Sequence, residues 1–397
     1  MNTLASKATR AVRASIESDT QHGAVVPPLH LSSNFAFAGF GEKRQYDYTR
    51  SGNPTRDALA EALADLEGGA GAVVTSSGMA ALTLLTQFLV PGDTIIAPHD
   101  CYGGTFRLFE QQSKKGLFNV LFVDQTDTNA LLEAVKCGPK IILAETPSNP
   151  LLRIVDIKLI ASIARESGAL FAVDNTFLSP ALQNPIEHGA DLVIHSTTKY
   201  INGHSDVVGG CVVAASEELA DRIKYWANCI GISGAPFDSF LTLRGIRTLH
   251  PRIRLHEENA STIAHVLDNH DQVNRVYYPG LKMHPGHEIA KRQQQGFGGM
   301  ISFEIDGGET AVQAFVEQLE FFSLAESLGG VESLVCHPAS MTHAPLSKEA
   351  LAEAGIGNNL IRLSVGLESS EDLTADILKA LEHARTATLS FSPAICA

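Results

Sequence analysis

Between residues 70 and 215 the chain alternates short, largely apolar runs with segments whose apolar residues recur every three or four positions. The runs are 72–75, 94–97, 120–123, 141–144, 170–173, 192–194 and 211–214. They are rich in Val and Ile and lack the apolar-polar alternation of a half-exposed strand, which predicts a sheet covered on both faces. Among the intervening segments, 156–168 sets Ile157, Ile160 and Ile163 on one helical face and stops at Gly168, the pattern of a crossover helix. Upstream, Asn53 caps a helix with Pro54 in its first turn and Leu59, Ala62, Leu63 and Leu66 as its apolar stripe, ended by Gly68 and Gly69. Seven strands separated by helices predict an α/β domain with a mostly parallel seven-stranded sheet.

The pattern differs on either side of this region. Residues 1–55 show little helical periodicity before the Asn53 cap and read as an arm that wraps over something else. After about residue 250 the style changes to an alternating strand at 300–306, a helix near 309–319, a strand at 361–365 and a last helix near 371–387. This predicts a smaller α+β domain over 251–397, leaving 56–250 as the main domain. No repeat or low-complexity segment is visible, and the last nine residues read as a loose tail.

Composition narrows the function. With 397 residues, 44% of them hydrophobic, the chain has material for two domains and is not a disordered protein. Its 30 basic and 44 acidic residues give a formal charge of −14, which disfavours nucleic acid and anionic membrane as partners. No apolar run approaches the ~20 residues of a membrane span. The first residues lack the pattern of a signal peptide, so a cytoplasmic location is expected. Six cysteines without a Cys-x-x-Cys pair suggest reduced thiols and no metal site.

The most informative stretch is 191–210. Its apolar strand breaks off into Ser196, Thr197, Thr198, a single lysine at 199, and then glycines, as a buried strand does when it opens into an active-site loop. Lys199 is a solvated loop lysine or an amine kept neutral by burial, able to form a Schiff base beside hydroxyls that hold a phosphate. In an open parallel sheet, ligands bind past the carboxyl ends of the strands. After the first strand, Gly78 and Met79 open a helix whose free N–H groups suit a phosphate. Tyr102, after the second, stacks on a flat cofactor or fills the core. Asn149 follows the fourth, and Asp174 and Thr176 follow the fifth. Asp174 either holds a protonated ring nitrogen, making the ring an electron sink, or caps a helix. Together these residues describe a pyridoxal 5′-phosphate (PLP) enzyme of the aspartate-aminotransferase fold, fold type I.

Asp191, Leu192, Ser196, Thr197, Thr198, Lys199, Tyr200, Ile201, Gly203, His204 and Ser205 resemble, position by position, the lysine signature of the Cys/Met-metabolism PLP enzymes. The resemblance extends from about Gly23 through Tyr48, Arg50, Gly52, Asn53 and Pro54 to Arg362. It implies that Lys199 carries the cofactor, that Gly78, Met79, Ser196 and Thr198 bind its phosphate, with Thr176 also in the cofactor site, that Tyr102 stacks, and that Asp174 pairs with the ring nitrogen. Tyr48 and Arg50 would reach the phosphate of a neighbouring subunit, which explains the arm and implies a homotetramer built from dimers with shared sites. Arg362 would grip the substrate α-carboxylate, with Asn149 and Ser327 beside it.

The resemblance further implies γ-replacement, in which O-succinyl-L-homoserine, or another acyl-homoserine, and L-cysteine yield L-cystathionine and succinate in methionine biosynthesis. Lys199 would shuttle protons and Tyr102 would deprotonate the incoming amine. Leu328 and Val331 stand where β-lyases of the family tend to carry aromatic residues, and Gly104 stands where methionine γ-lyases place a cysteine. Cystathionine γ-cleavage and sulfhydrylation of an acyl-homoserine remain the alternatives. Glu326 and Asp47 either attract the ammonium of cysteine or make ordinary surface pairs, and Arg50 and Arg107 stand likewise towards a distal carboxylate. Ser196 and Lys199 also satisfy the Ser-x-x-Lys motif of β-lactamases, but the Ser-Asp-Asn and Lys-Thr-Gly companions of that motif are missing. A non-catalytic scaffold is the third reading, and a yellow, borohydride-sensitive protein would exclude both rivals.

Overall fold

The predicted apolar runs become strands because their backbones pair, and their side chains leave alternately towards two helical layers. The computed structural model describes residues 5–344, 351–352 and 354–391, with side chains to residue 388. It divides into two compact units, one of residues 1–98, 104–145 and 155–251, the other of 99–103, 146–154 and 252–397.

In the first unit, β1 (Gly71–Thr75), β2 (Thr94–Pro98), β3 (Asn119–Val123), β4 (Ile141–Glu145), β5 (Leu170–Asp174), β6 (Leu192–His195) and β7 (Gly210–Ala214) form one sheet in the order β1-β7-β6-β5-β4-β2-β3. All neighbours are parallel except β7, which runs antiparallel to both β1 and β6. The expected mostly parallel, seven-stranded α/β fold is therefore present. On β4, Ile142 and Ala144 join Leu59, Leu63 and Leu66 of the helix Pro54–Glu67 and Ile157, Ile160 and Ile163 of the helix Ile157–Ser167 in one buried cluster. Ile141 and Leu143 join Leu82, Leu85, Phe109 and Ile223 in another, so helices cover both faces. Asn53 accepts from the amides of Thr55 and Arg56, and Gly68 ends the helix at φ 78°, a left-handed position where glycine carries no Cβ penalty.

The arm contains one short helix, Lys7–Val12, held to the rest of its unit by the Lys7–Glu187 pair at 2.6 Å and by an Arg10–Asp65 pair. Beyond it the chain runs without a helix to the Asn53 cap. Here Val25, Val26, Leu31, Phe37, Phe40 and Tyr48 lie exposed on the single chain.

In the second unit, β8 (Val273–Tyr277), β9 (Met300–Ile305), β10 (Ser323–Leu324), β11 (Leu334–Cys336) and β12 (Leu360–Ser364) form a sheet in the order β10-β11-β12-β9-β8. Only β10 and β11 are parallel. Ile301, Phe303, Ile305, Ile361 and Leu363 pack with the helices Leu249–Asp268, Gly308–Gln318 and Ser370–Phe391 in one core. By the two-residue period of a strand, Arg362 therefore leaves β12 on the face away from those helices. Its register partners Ser302 and Cys336 do so on the neighbouring strands.

Two expectations change. Residues 300–305 do not form a half-exposed strand: all but Glu304 are buried, and Ser302 Oγ donates to Pro150 O at 2.6 Å. The last helix runs to Phe391, so the first residues of the expected loose tail are helical, and those from 392 onward lie outside the described residues.

Burial pushes His256, His284 and His343 of this unit each down to about 4. Unfolded histidine titrates near ~6.5, so between that pH and about 4 the unfolded chain takes up protons that the folded chain refuses. The histidines' contribution to stability is fully present above pH ~6.5 and is lost as pH falls towards 4, at up to about 3 kcal/mol per residue. Urea midpoints should drop over that window, and His256→Gln should flatten the slope by about one proton; an unchanged slope would refute the assignment.

Candidate active site

At the carboxyl end of the first unit's sheet, four segments supply one constellation. Past β1, Ser77 caps the helix Gly78–Thr86 by accepting from Ala80 N, and the first turn leaves the amides of Gly78 and Met79 without an intrahelical acceptor. A Cβ on Gly78 would lie 2.8 Å from Ser196 Cβ, so Ser196 stands directly against that helix start. Past β6, Ser196 N donates to Thr176 Oγ1 at 2.9 Å, and Thr176 N donates to Asp174 Oδ1 at 3.0 Å at the end of β5. Thr198 Oγ1 accepts from Gly209 N at 3.0 Å and ties the lysine loop to the segment that enters β7. Lys199 is partly buried within this loop, its carbonyl accepting from Gly203 N at 2.8 Å. Gly210 must be glycine, because a Cβ there would meet Ser77 O at 2.2 Å.

These residues fit PLP. Two outward amides beside a serine hydroxyl form a phosphate cradle at a helix N-terminus. Asp174 does not cap a helix; it closes its own turn at the strand end. Burial pushes its carboxyl up, against its hydrogen bonds from Thr176 and the charge of His195. A desolvated carboxylate in that state is stabilised by a cation, which a pyridinium N–H supplies.

The second unit holds the carboxylate-binding candidates. Arg362 is buried, donating from Nη1 to Asn149 Oδ1 at 2.8 Å and from Nη2 to Ser327 O at 3.0 Å, while its Nε has no partner among the described residues. Two fixed acceptors leave the guanidinium aimed before any ligand arrives. Ser327 has φ 102°, a strained value for a residue with a Cβ. Glu326 beside it is exposed, and Leu328 is buried. Tyr102 is 43% exposed, so it is not a core tyrosine. Its loop is clamped by Asp100, which accepts from Ser148 Oγ at 2.6 Å and from Arg153 Nη1 at 3.1 Å.

The remaining candidates are on other segments of the first unit. Arg107 is exposed on the helix Gly103–Lys114. Asp47 pairs with Lys43 and accepts from Ser51 Oγ at 2.9 Å, contacts that hold its carboxyl down to about 2. Arg50 donates from Nη1 to both Asn228 O and Asn228 Oδ1 at 2.6 Å, with its guanidinium 5.7 Å from the centre of the Tyr48 ring. Sequence reasoning missed Asn228, Cys336 and His343. Cys336 is buried beside Arg362, where burial pushes its thiol up. His343 Nδ1 bonds Thr342 Oγ1 at 2.9 Å. A Cys or His isolated in the sequence carries no signal of such a neighbour.

The helix start against Ser196, the carboxylate that closes the strand next to β6 and the lysine loop after β6 suit a fold type I PLP-binding domain. The chain belongs to the family of Cys/Met metabolism PLP-dependent enzymes, whose family model matches residues 8–382. It is 56% identical to cystathionine γ-synthase of Escherichia coli over 94% of this chain and 96% of that protein. It is 51% identical to cystathionine β-lyase of Lactococcus lactis subsp. cremoris, over 94% of this chain and 98% of that one. Crystal structures of cystathionine γ-synthase from Xanthomonas oryzae pv. oryzae, one in complex with cystathionine and one with aminoacrylate and cysteine, superpose with a TM-score of 0.96 at 61% and 60% identity, covering 96% of this chain and 99% of theirs. The expected membership of the Cys/Met-metabolism PLP enzymes is thus borne out, and the protein is a PLP-dependent enzyme. Among the described residues no helix is long and apolar enough to cross a membrane.

Proposed function

We propose that this enzyme replaces the γ-substituent of O-succinyl-L-homoserine, or of another acyl-homoserine, with L-cysteine to give L-cystathionine, as a cytoplasmic step of methionine biosynthesis. The observation that carries this reading is the likeness, over nearly the whole chain, to the Xanthomonas protein whose structure holds cystathionine. PLP, when bound, supplies the electron sink that makes the protons on the substrate's Cα and Cβ removable. Lys199 would hold the cofactor and, released from it, would take the proton from Cα and then one from Cβ, so that the acyloxy group leaves Cγ as a carboxylate; the cysteine thiolate adds at Cγ, and protons return to Cβ and Cα. Arg362, pre-aimed by Asn149 and the Ser327 carbonyl, binds the α-carboxylate. Tyr102, exposed on its clamped loop, takes the proton of the incoming amine. Glu326 and Asp47 attract the ammonium of cysteine, and Arg107 the distal carboxylate of the succinyl group.

The working unit is a homotetramer built from two dimers with shared sites. Supporting it is the arm, whose exposed Val25, Leu31, Phe37 and Phe40 form an apolar surface that a second copy would cover. Tyr48 and Arg50 on that arm then serve the neighbour's cofactor phosphate.

A second reading, cleavage of cystathionine, is favoured by the Lactococcus β-lyase. One assay separates the two: the purified enzyme is offered succinyl-, acetyl- and phosphoryl-homoserine with cysteine or sulfide, and cystathionine alone. The fastest turnover is expected with the succinyl ester and cysteine; faster cleavage of cystathionine would replace the proposal.

A further inference from the structure

Beneath Asp174 the first unit buries an acid where an acid is least welcome. Glu67 is the last residue of the helix Pro54–Glu67, at the negative pole of its dipole, and is 0% exposed. Its Oε1 lies 2.6 Å from His195 Nε2 and accepts from Asn175 Nδ2 at 2.9 Å, while Oε2 accepts from Asn184 Nδ2 at 3.3 Å. No lysine or arginine is among these partners. Among the described residues the group there able to supply a positive charge is His195, and a separation of 2.6 Å is short, as charge-assisted bonds are. His195 is itself 0% exposed, and its Nδ1 has no hydrogen-bond partner among the described residues.

The pair reaches Asp174 by two routes. His195 closes β6, which lies parallel and next to β5, with Asp174 in register with Ile194; the charge of His195 favours the ionised form of Asp174. Asn175, adjacent to Asp174, is gripped by Glu67 and tied to Gln183 by bonds of 2.8 and 3.0 Å, which fixes the backbone from which Asp174 projects. Cys211 on β7 stands opposite His195; burial and the charge of Glu67 push its thiol up, so it stays neutral. A buried acid–imidazole contact is no improvement on apolar packing for stability alone, so its presence calls for another role.

We propose that Glu67 and His195 are positioning residues for the cofactor's ring nitrogen: Glu67 keeps His195 charged, and His195 keeps Asp174 an anion that binds a protonated ring. This rests on the reading that Asp174 pairs with that nitrogen. The test is equilibrium dialysis of the apoprotein against PLP and against the analogue in which carbon replaces the ring nitrogen. Glu67→Gln, which keeps the shape and removes the charge, should weaken PLP binding at least tenfold and change the analogue's affinity less than twofold. His195→Gln should show the same selectivity, and either variant suffices if the other does not fold. Equal losses for both ligands, or no loss, would reduce the pair to a structural one and overturn the proposal. Asp174→Asn separates the two possible failures. If it too lacks the nitrogen-selective loss, the reading of Asp174 falls and this proposal with it; if it shows the loss while the other variants do not, this proposal alone falls.

Discussion

Lys199→Ala is expected to abolish turnover while leaving the fold intact. The side chain is only partly buried, in a loop whose path is set by backbone and hydroxyl bonds, among them Gly203 N to the Lys199 carbonyl and Thr198 to Gly209. None of these needs the amine, so the cost to stability should be about 1 kcal/mol or less. Catalysis differs, because on the proposed reading one atom would both hold the cofactor covalently and carry the protons. Acid-base catalysis alone is worth ~10²–10⁴-fold, and losing covalent activation with it should lower kcat by at least about 10⁴-fold. Thermal melts of the two apoproteins followed by circular dichroism should differ by no more than about 4 °C. Borohydride should fix PLP on the peptide that carries Lys199 in the wild type and on none in the variant. Activity within tenfold of wild type, or a label on a different lysine, would remove Lys199 from the centre of the mechanism.

The fold was legible to the extent that a local pattern decides it. The strands β1 to β7 are short apolar runs bounded by turn residues, and burial on both faces is written into their lack of alternation. By contrast β10 is two exposed residues and β11 three buried ones, both too short for any period to show. The helix Leu249–Asp268 is interrupted in sequence by Pro251 and carries charge through its first half, so no clean stripe announces it.

The site divides along the same line. Gly78, Asp174, Thr176 and Ser196 were found because a parallel sheet displays whatever follows its strands. That Asn149 accepts a bond from Arg362, 213 residues away, follows only from the register of β12 and the path of the loop after β4. Glu67 was the least legible. A glutamate one residue before a terminal glycine reads as a solvated helix end, and only the chain's return at Asn175 and His195 buries it.

Mixing Arg50→Ala, which should hold PLP poorly, with the inactive Lys199→Ala is expected to raise activity above that of either variant alone. The expectation follows from the position of Arg50 in an arm that precedes the first strand, on a stretch whose apolar side chains are exposed in the single chain. There the guanidinium rests on the carbonyl and side chain of Asn228, two neutral acceptors. A cofactor phosphate is dianionic, and a charge-assisted bond to it is about twice as strong as a neutral one, so the arginine is stabilised more by a neighbour's phosphate than by Asn228. Arg50→Ala alone should therefore loosen PLP, by roughly tenfold or more for the loss of one charge-assisted bond. In a hybrid dimer, one site receives Lys199 and the neighbour's Arg50 both intact, and the other receives neither. Random exchange makes about half of the dimers hybrid, each with one of two sites competent, so the ceiling is roughly a quarter of wild-type activity. The measurement is turnover after mild dissociation and reassociation of the purified variants, with exchange verified by differently tagged chains. Verified exchange without recovery would place Arg50 in the service of its own chain and remove the arm from the neighbour's site.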